Sequence, residues 1–237
     1  MNLLEVANVS KHFGGLTANE DVTFSVEAAQ IVGLIGPNGA GKTTLFNCVA
    51  GFYPPSSGSI VLDGRDIAGL PPEACARAGV ARTFQIARTF TSMTACENVM
   101  TAVMLSEHKV PAARASAMQW LAFANLERFA DKPAGSMTIS EQRRLAVARA
   151  LAIKPRILLM DEVMAGLNPS EVKEAVDVVL KIRQRGIACL VVEHVLEGIM
   201  PIADKIVVLD RGCKIAEGTP QQVSSDPVVV SAYLGDA

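Results

Sequence analysis

The sequence predicts an α/β fold with a mostly parallel sheet, an antiparallel β flank and a helical insertion, in one domain of 237 residues. Three observations carry that prediction. A glycine-rich loop, Gly36 to Thr44, sits between an apolar β-branched run and a helical pattern. Short apolar strands alternate with helices before residue 85 and again after residue 154. Between about 86 and 153 only helical and loop patterns occur.

Taken in order, Leu3 to Val9 and Asp21 to Glu27 alternate apolar with polar residues and read as half-exposed strands of the antiparallel flank. Ile31 to Ile35 is an unbroken apolar strand, followed by the loop and a helix running to Ala50. A turn cluster, Pro54 to Gly58, precedes a short strand ending at Asp63-Gly64; a proline-started helix, Pro72 to Ala78, leads to a strand Val80 to Phe84. In the insertion, Met93, Val99, Met100, Val103 and Met104 recur at helical spacing and read as core. Ala115 to Leu126 is an alanine-rich helix carrying the lone tryptophan, Trp120. After Ile157 to Met160 come a helix from Pro169 to Arg185, a strand from Ile187 to Glu193, a short helix, and a hairpin turning through Asp210-Arg211-Gly212. Two short helices close the chain.

The loop matches G-x-x-x-x-G-K-S/T between a strand and a helix, which is the context that makes it a phosphate cradle. Glycines let successive amides curl around an anion, the helix N-terminus adds its dipole, Lys42 adds a full charge, and Thr43 is placed for Mg²⁺. Gly36, Pro37, Asn38, Gly39, Ala40, Gly41, Lys42, Thr43 and Thr44 are therefore the candidate phosphate ligands, and the ligand is a nucleoside triphosphate. A second signal is Asp161-Glu162 at the end of a four-residue apolar strand, where open parallel sheets bind ligands: Asp161 is expected to hold Mg²⁺ through water and Glu162 to polarise an attacking water. Thr138-Ile139-Ser140-Glu141 is a capping box opening a helix, Gln142 to Leu151, and hence a second helix N-terminus. Phe13, before Gly14-Gly15, is a candidate to stack on a base.

Composition narrows the partners. With 22 basic and 24 acidic residues and a net charge of −2, the chain has no basic field for nucleic acid. The five cysteines include no C-x-x-C pair and read as reduced core residues of a cytosolic protein. The opening residues, Met1 to Glu5, carry no secretory pattern, and no apolar run approaches the ~18 residues that span a bilayer.

Together, Phe13, the phosphate loop, Gln85, Thr138 to Gln142 with Arg143-Arg144-Leu145, Asp161-Glu162, Gly166 to Pro169 and His194 resemble the nucleotide-binding subunit of an ABC transporter over essentially the whole chain. The phrases Phe13 to Leu16, Ala81 to Gln85, Val192 to His194 and Ala232 to Gly235 are similar to the branched-chain amino-acid uptake branch. The resemblance implies a P-loop NTPase core over about 1–85 and 154–237 with a helical subdomain over about 86–153. It implies ATP with Mg²⁺ as ligands, Phe13 stacked on adenine, Gln85 sensing Mg²⁺ and the attacking water, and His194 bridging to the γ-phosphate. It also implies a peripheral ATPase at the cytoplasmic face of the inner membrane. The chain would sit under permease subunits that grip the region from Ile86 to Met104, be fed indirectly by a solute-binding protein, and dimerise through a segment that includes Asn168. An ATP-gated clamp with little turnover and a homodimeric lipid or lipopolysaccharide exporter are the alternatives.

One departure bears on the partner. Where the family has Leu-Ser-Gly-Gly-Gln to close over the opposite subunit's ATP, this chain has Met137-Thr138-Ile139-Ser140-Glu141. If the second glycine's place demands a positive φ, Ser140 is strained there by roughly 1–2 kcal/mol. Glu141 adds a negative charge where a triphosphate should arrive, unless its capping role turns it back toward the Thr138 backbone. Thr138, Ser140 and Glu141 are thus expected to form an impaired or specialised signature, so that the chain pairs with a different ATPase subunit whose signature is intact.

Overall fold

The structure, a computed structural model, describes residues 2–83 and 89–234. Two sheets carry the fold. In the first, β1 (Asn2–Phe13) and β2 (Leu16–Glu27) form a long antiparallel hairpin, and β4 (Ser57–Leu62) and β5 (Arg65–Asp66) continue the sheet from the free edge of β1. Both hairpin strands extend well beyond the stretches that alternate in sequence. Asn8 and Asp21 have positive φ, and the β1–β2 register shifts between Val6 and Val9 and again on either side of Lys11. Each irregularity changes which face a residue points to, so the period-2 pattern is lost while pairing continues.

The second sheet has the order β10-β9-β3-β8-β7-β6, with β3 (Ile31–Ile35), β6 (Val80–Arg82), β7 (Ile157–Asp161), β8 (Ala188–Val192), β9 (Lys205–Asp210) and β10 (Cys213–Gly218). All its pairings are parallel except β9–β10. β3, β7 and β8 are buried throughout, as strands covered on both faces must be. Val32 and Leu34 of β3 point into a core shared with the first sheet and with Leu45 and Phe46 of α1 (Lys42–Val49). Ile31 and Ile35 point the other way, into a core closed by α6 (Pro169–Gln184) and α7 (Leu196–Ile199). The chain leaves β3 for the far edge of the sheet and later crosses back over β3 to reach β9. The carboxyl ends of β3, β7 and β8 therefore meet at a point where the strand order reverses, the usual ligand position in such sheets.

A third core lies among α3 (Ala95–Val103), α4 (Val110–Phe123) and α5 (Ile139–Leu151), and nine of its sixteen buried residues are alanine. Here several details depart from the sequence-based expectation. α4 begins five residues earlier than expected, because Pro111 is accommodated in the first turn where no amide is needed, and it ends earlier because Asn125 takes a left-handed conformation just past Ala124. Met93 and Met104 flank α3 and are exposed rather than core, whereas Val99 and Val103 are buried. Four cysteines are buried as expected, but Cys213 is exposed at the start of edge strand β10. The helices α2 (Pro72–Ala78), α8 (Pro220–Ser224) and α9 (Pro227–Leu234) each start on a proline. None of the described helices is long and apolar enough to cross a membrane.

Candidate nucleotide site

The glycine-rich loop follows β3 directly. Gly36, Gly39 and Gly41 have φ of 148°, 80° and 92°. Two of them are also packed too tightly for a side chain: a Cβ on Gly36 would lie 2.1 Å from the Leu209 carbonyl oxygen, and one on Gly41 2.4 Å from that of Ala18. Gly41, which caps α1, has no side chain to bond the first-turn amides that face the cleft. Lys42 is buried, its ammonium donating to the carbonyls of Gly36 at 2.7 Å and Pro37 at 2.8 Å. Burial lowers its pKa, and the nearby Glu162 and Asp161 carboxylates work against that shift.

Leu16 to Ala18 from the hairpin, Asn38 to Thr44 from the loop and α1, Glu162 and His194 line one cleft. Glu162 Oε1 and His194 Nε2 are 2.9 Å apart. The two side chains meet because the Glu162 amide donates to the Val192 carbonyl at 2.9 Å, joining the ends of β7 and β8. Glu162 holds a φ of 49°, a left-handed conformation that costs a residue with a Cβ about 1–2 kcal/mol. The strain turns its carboxylate out of the line of the strand and toward the phosphate loop.

Asp161 is placed differently from its neighbour. It is buried behind the cleft, and its Oδ2 accepts from Arg82 Nη2 at 2.9 Å. The same guanidinium donates to Asn47 Oδ1 and lies 5.0 and 5.2 Å from the ring centres of Phe46 and Phe52. Arg82 thus ties the end of β6 to the end of β7 and to α1, one helical turn beyond Thr43. Sequence reading passed over Arg82; its signal was an isolated arginine inside an apolar strand. Glu193 was passed over as well, although a carboxylate ending the apolar strand β8 repeats the pattern of Asp161-Glu162.

The remaining described candidates lie apart from this cleft. Phe13 ends β1, half-exposed, edge-on to Tyr53 with ring centres 5.3 Å apart and with Lys11 Nζ 4.9 Å from its own. Gln85 lies outside the described residues. Thr138 caps α5 in a complete capping box: its hydroxyl accepts from the Glu141 amide, and Glu141 Oε2 accepts from the Thr138 amide at 2.9 Å.

The structure decides two questions that the sequence leaves open in this segment. Ser140 sits in the first turn of α5 and is not among the residues with positive φ, so it carries no left-handed strain. Glu141 does not present its charge outward. It is buried and takes an ion pair at 3.0 Å from Lys132. Burial pushes its pKa up, but the Thr138 amide and the Lys132 ammonium outweigh that and hold it below the usual carboxylate value. Asn168 likewise caps its own helix, α6, accepting from the amides of Ser170 and Glu171 at 3.0 Å.

A cradle of left-handed glycines, a helix N-terminus without an acidic first turn, and a buried lysine fit a nucleotide's phosphates. The Thr43 hydroxyl and Asp161 are hard oxygen donors of the kind Mg²⁺ shares with phosphate oxygens. This fold and cleft define a protein that binds nucleoside triphosphates through a P-loop. The family described as "ABC transporter" matches residues 19–165, and that described as "Branched-chain amino acid ATP-binding cassette transporter" matches residues 213–237. The chain belongs to the ABC transporter family and is an ATP-binding cassette ATPase.

Its relatives include the high-affinity branched-chain amino acid transport ATP-binding proteins BraF of Pseudomonas aeruginosa and LivG of Escherichia coli K12. They are 44% and 40% identical, each over 99% of this chain and 98% of the relative. The lipopolysaccharide export system ATP-binding protein LptB of Haemophilus influenzae is 34% identical over 100% of this chain and 98% of its own length. Among solved structures, the ADP conformation of MJ1267, an ATP-binding cassette of an ABC transporter, superposes with a TM-score of 0.90 at 30% identity, covering 100% of both chains.

Proposed function

We propose that this chain is the ATP-hydrolysing subunit of an importer that takes up branched-chain amino acids or a related small polar solute. The observation that carries the reading is the single cleft in which Lys42, the α1 N-terminus, Glu162 and His194 face one another. Similarity over the whole length to branched-chain amino acid transport ATP-binding proteins supports the class of solute.

In this reading the loop amides and Lys42 hold the β- and γ-phosphates, and Phe13 stacks on adenine. Thr43 and Asp161 would hold Mg²⁺, with Arg82 fixing the rotamer of Asp161 and Gln85 attending the same ion and the water; the ion supplies neutralisation of phosphate charge. Glu162 accepts the proton of the attacking water. His194 orients that carboxylate through Nε2 and then reaches the γ-phosphate. A positioned general base contributes on the order of 10²–10⁴ in rate.

Thr138 and Ser140 meet the opposite subunit's nucleotide; Glu141, expected to do the same, is turned inward and instead holds the Thr138 amide. With strain and outward charge removed as objections, what sets this signature apart is bulk: Ile139, 72% exposed, and Ser140 stand where the family has glycines. The partner is accordingly a second ABC ATPase subunit that keeps those glycines. The pair works at the cytoplasmic face of the inner membrane beneath permease subunits that a solute-binding protein supplies.

The test is ATP hydrolysis by the purified chain as a function of its own concentration, with Glu162→Gln as the blank. The heterodimer reading expects Mg-ATP binding with little turnover until the partner subunit is added. Turnover rising faster than linearly with concentration refutes it, and leaves a homodimer such as the relatives of the lipopolysaccharide exporter would form. Binding without turnover even with partner and permease present would favour an ATP-gated clamp.

A further inference from the structure

Glu193 lies between the last residue of β8 and His194 and is wholly buried. A carboxylate there is expensive unless hydrogen bonds hold it. Its Oε1 accepts from the Met164 amide at 2.7 Å, whereas its buried Oε2 has no hydrogen-bond partner among the described residues. Met164 is two residues beyond Glu162. The next carbonyl, that of Ala165, accepts from Arg143 Nη1 of α5 at 2.6 Å. The Met164 side chain is itself buried against α7, where a Cβ on Gly198 would come within 2.4 Å of its sulfur. The turn after Glu162 is therefore gripped by an acceptor from the strand that carries His194, a donor from α5, and the packing of α7.

From this geometry we propose that Glu193 is a positioning residue for hydrolysis, holding the Met164 amide so that Glu162 and His194 meet across the cleft. The proposal rests on the reading of Glu162 as the general base. Glu193 touches neither nucleotide nor water; it fixes the distance between two loops. What the task requires is an acceptor at the right reach, not a charge. Glutamine supplies that acceptor. Aspartate keeps the charge but withdraws the oxygen by one methylene.

The chain has three histidines, and His194 is the one paired with Glu162, so its ring C–H cross-peak, assigned by His194→Ala, reports the pair in the isolated full chain. The expected result is that Glu193→Gln leaves that cross-peak in place and keeps kcat within about threefold. Glu193→Asp should move the cross-peak toward its position in Glu162→Gln and lower kcat about tenfold or more, with KM for ATP unchanged because the phosphate loop is untouched. Hydrolysis is measured in whichever dimer the concentration series finds active. An aspartate variant that matches the wild type in both readouts overturns the proposal, as does a glutamine variant as impaired as aspartate. If Glu162→Gln itself still hydrolyses ATP, the base assignment fails, and the cross-peak arm still judges Glu193.

Discussion

Replacing Glu193 by glutamine should stabilise the protein progressively more as pH rises. Burial, reinforced by the neighbouring Glu162 charge and only partly offset by the amides of Met164, Val195 and His194, raises the pKa of this carboxyl from 4.5 to about 7. A carboxyl that is harder to ionise folded than unfolded stabilises the fold fully below pH 4.5, and that contribution drains away as pH rises through about 7. At 1.36 kcal/mol per pH unit the loss is about 1 kcal/mol by pH 5 and about 3 kcal/mol by pH 8. Glutamine does not titrate. Any fixed cost of seating its NH₂ group is the same at both pH values, so the gap in stability between variant and wild type should widen by about 2 kcal/mol. For a chain of this length that is roughly 4–8 °C in Tm. The assay is thermal unfolding of both proteins at pH 5 and pH 8 in matched ionic strength. A gap that stays constant, or narrows on going to pH 8, would refute the assignment of a buried and reluctant carboxylate at this position.

Other outcomes follow from the same geometry. Glu162→Gln should lose hydrolysis by about 10²–10⁴ while keeping nucleotide affinity within a few-fold, measured with a fluorescent ATP analogue. Arg82→Met strands the buried Asp161 and should destabilise the chain by about 3–5 kcal/mol in urea unfolding, with Asp161→Asn restoring part of the loss in the double variant. Ser140→Gly should lower stability slightly, by about 0.5 kcal/mol of helix propensity read as a small fall in Tm, because no left-handed strain exists to be relieved; a rise in Tm would contradict the helical placement of Ser140.

The parts of the fold that were legible in sequence are those set by local chemistry. The phosphate loop needs glycines and announces them; the capping box at Thr138 is written within four residues; β3, β7 and β8 are unbroken apolar runs because both faces are covered. What could not be read depends on residues far apart in the chain. Nothing near Asp161 in sequence indicates that an arginine 79 residues away neutralises it. The capping pattern indicates that Glu141 could turn inward to the Thr138 amide, but nothing near it in sequence indicates that Lys132 would pair with it there. The missed halves of β1 and β2 show the limit of periodicity: a bulge at Asn8 preserves pairing but scrambles the alternation that reveals it.

The alanine-filled core among α3, α4 and α5 has a thermodynamic consequence of its own. Apolar stabilisation scales with the area withdrawn from water, at about 25 cal/mol per Å², and an alanine withdraws little. The Leu, Ile and Val residues that crowd the two faces of the parallel sheet withdraw far more. The three helices are close-packed yet weakly bound to one another, so they should form the cooperative unit of lowest opening free energy in the chain. In native-state hydrogen exchange the amides of α3 and α4 should turn over at a denaturant concentration at which those of β3, β7 and β8 remain protected. Energy released at the nucleotide would then meet a compliant helical lobe mounted on a stiff sheet, a mechanical contrast set by side-chain size alone.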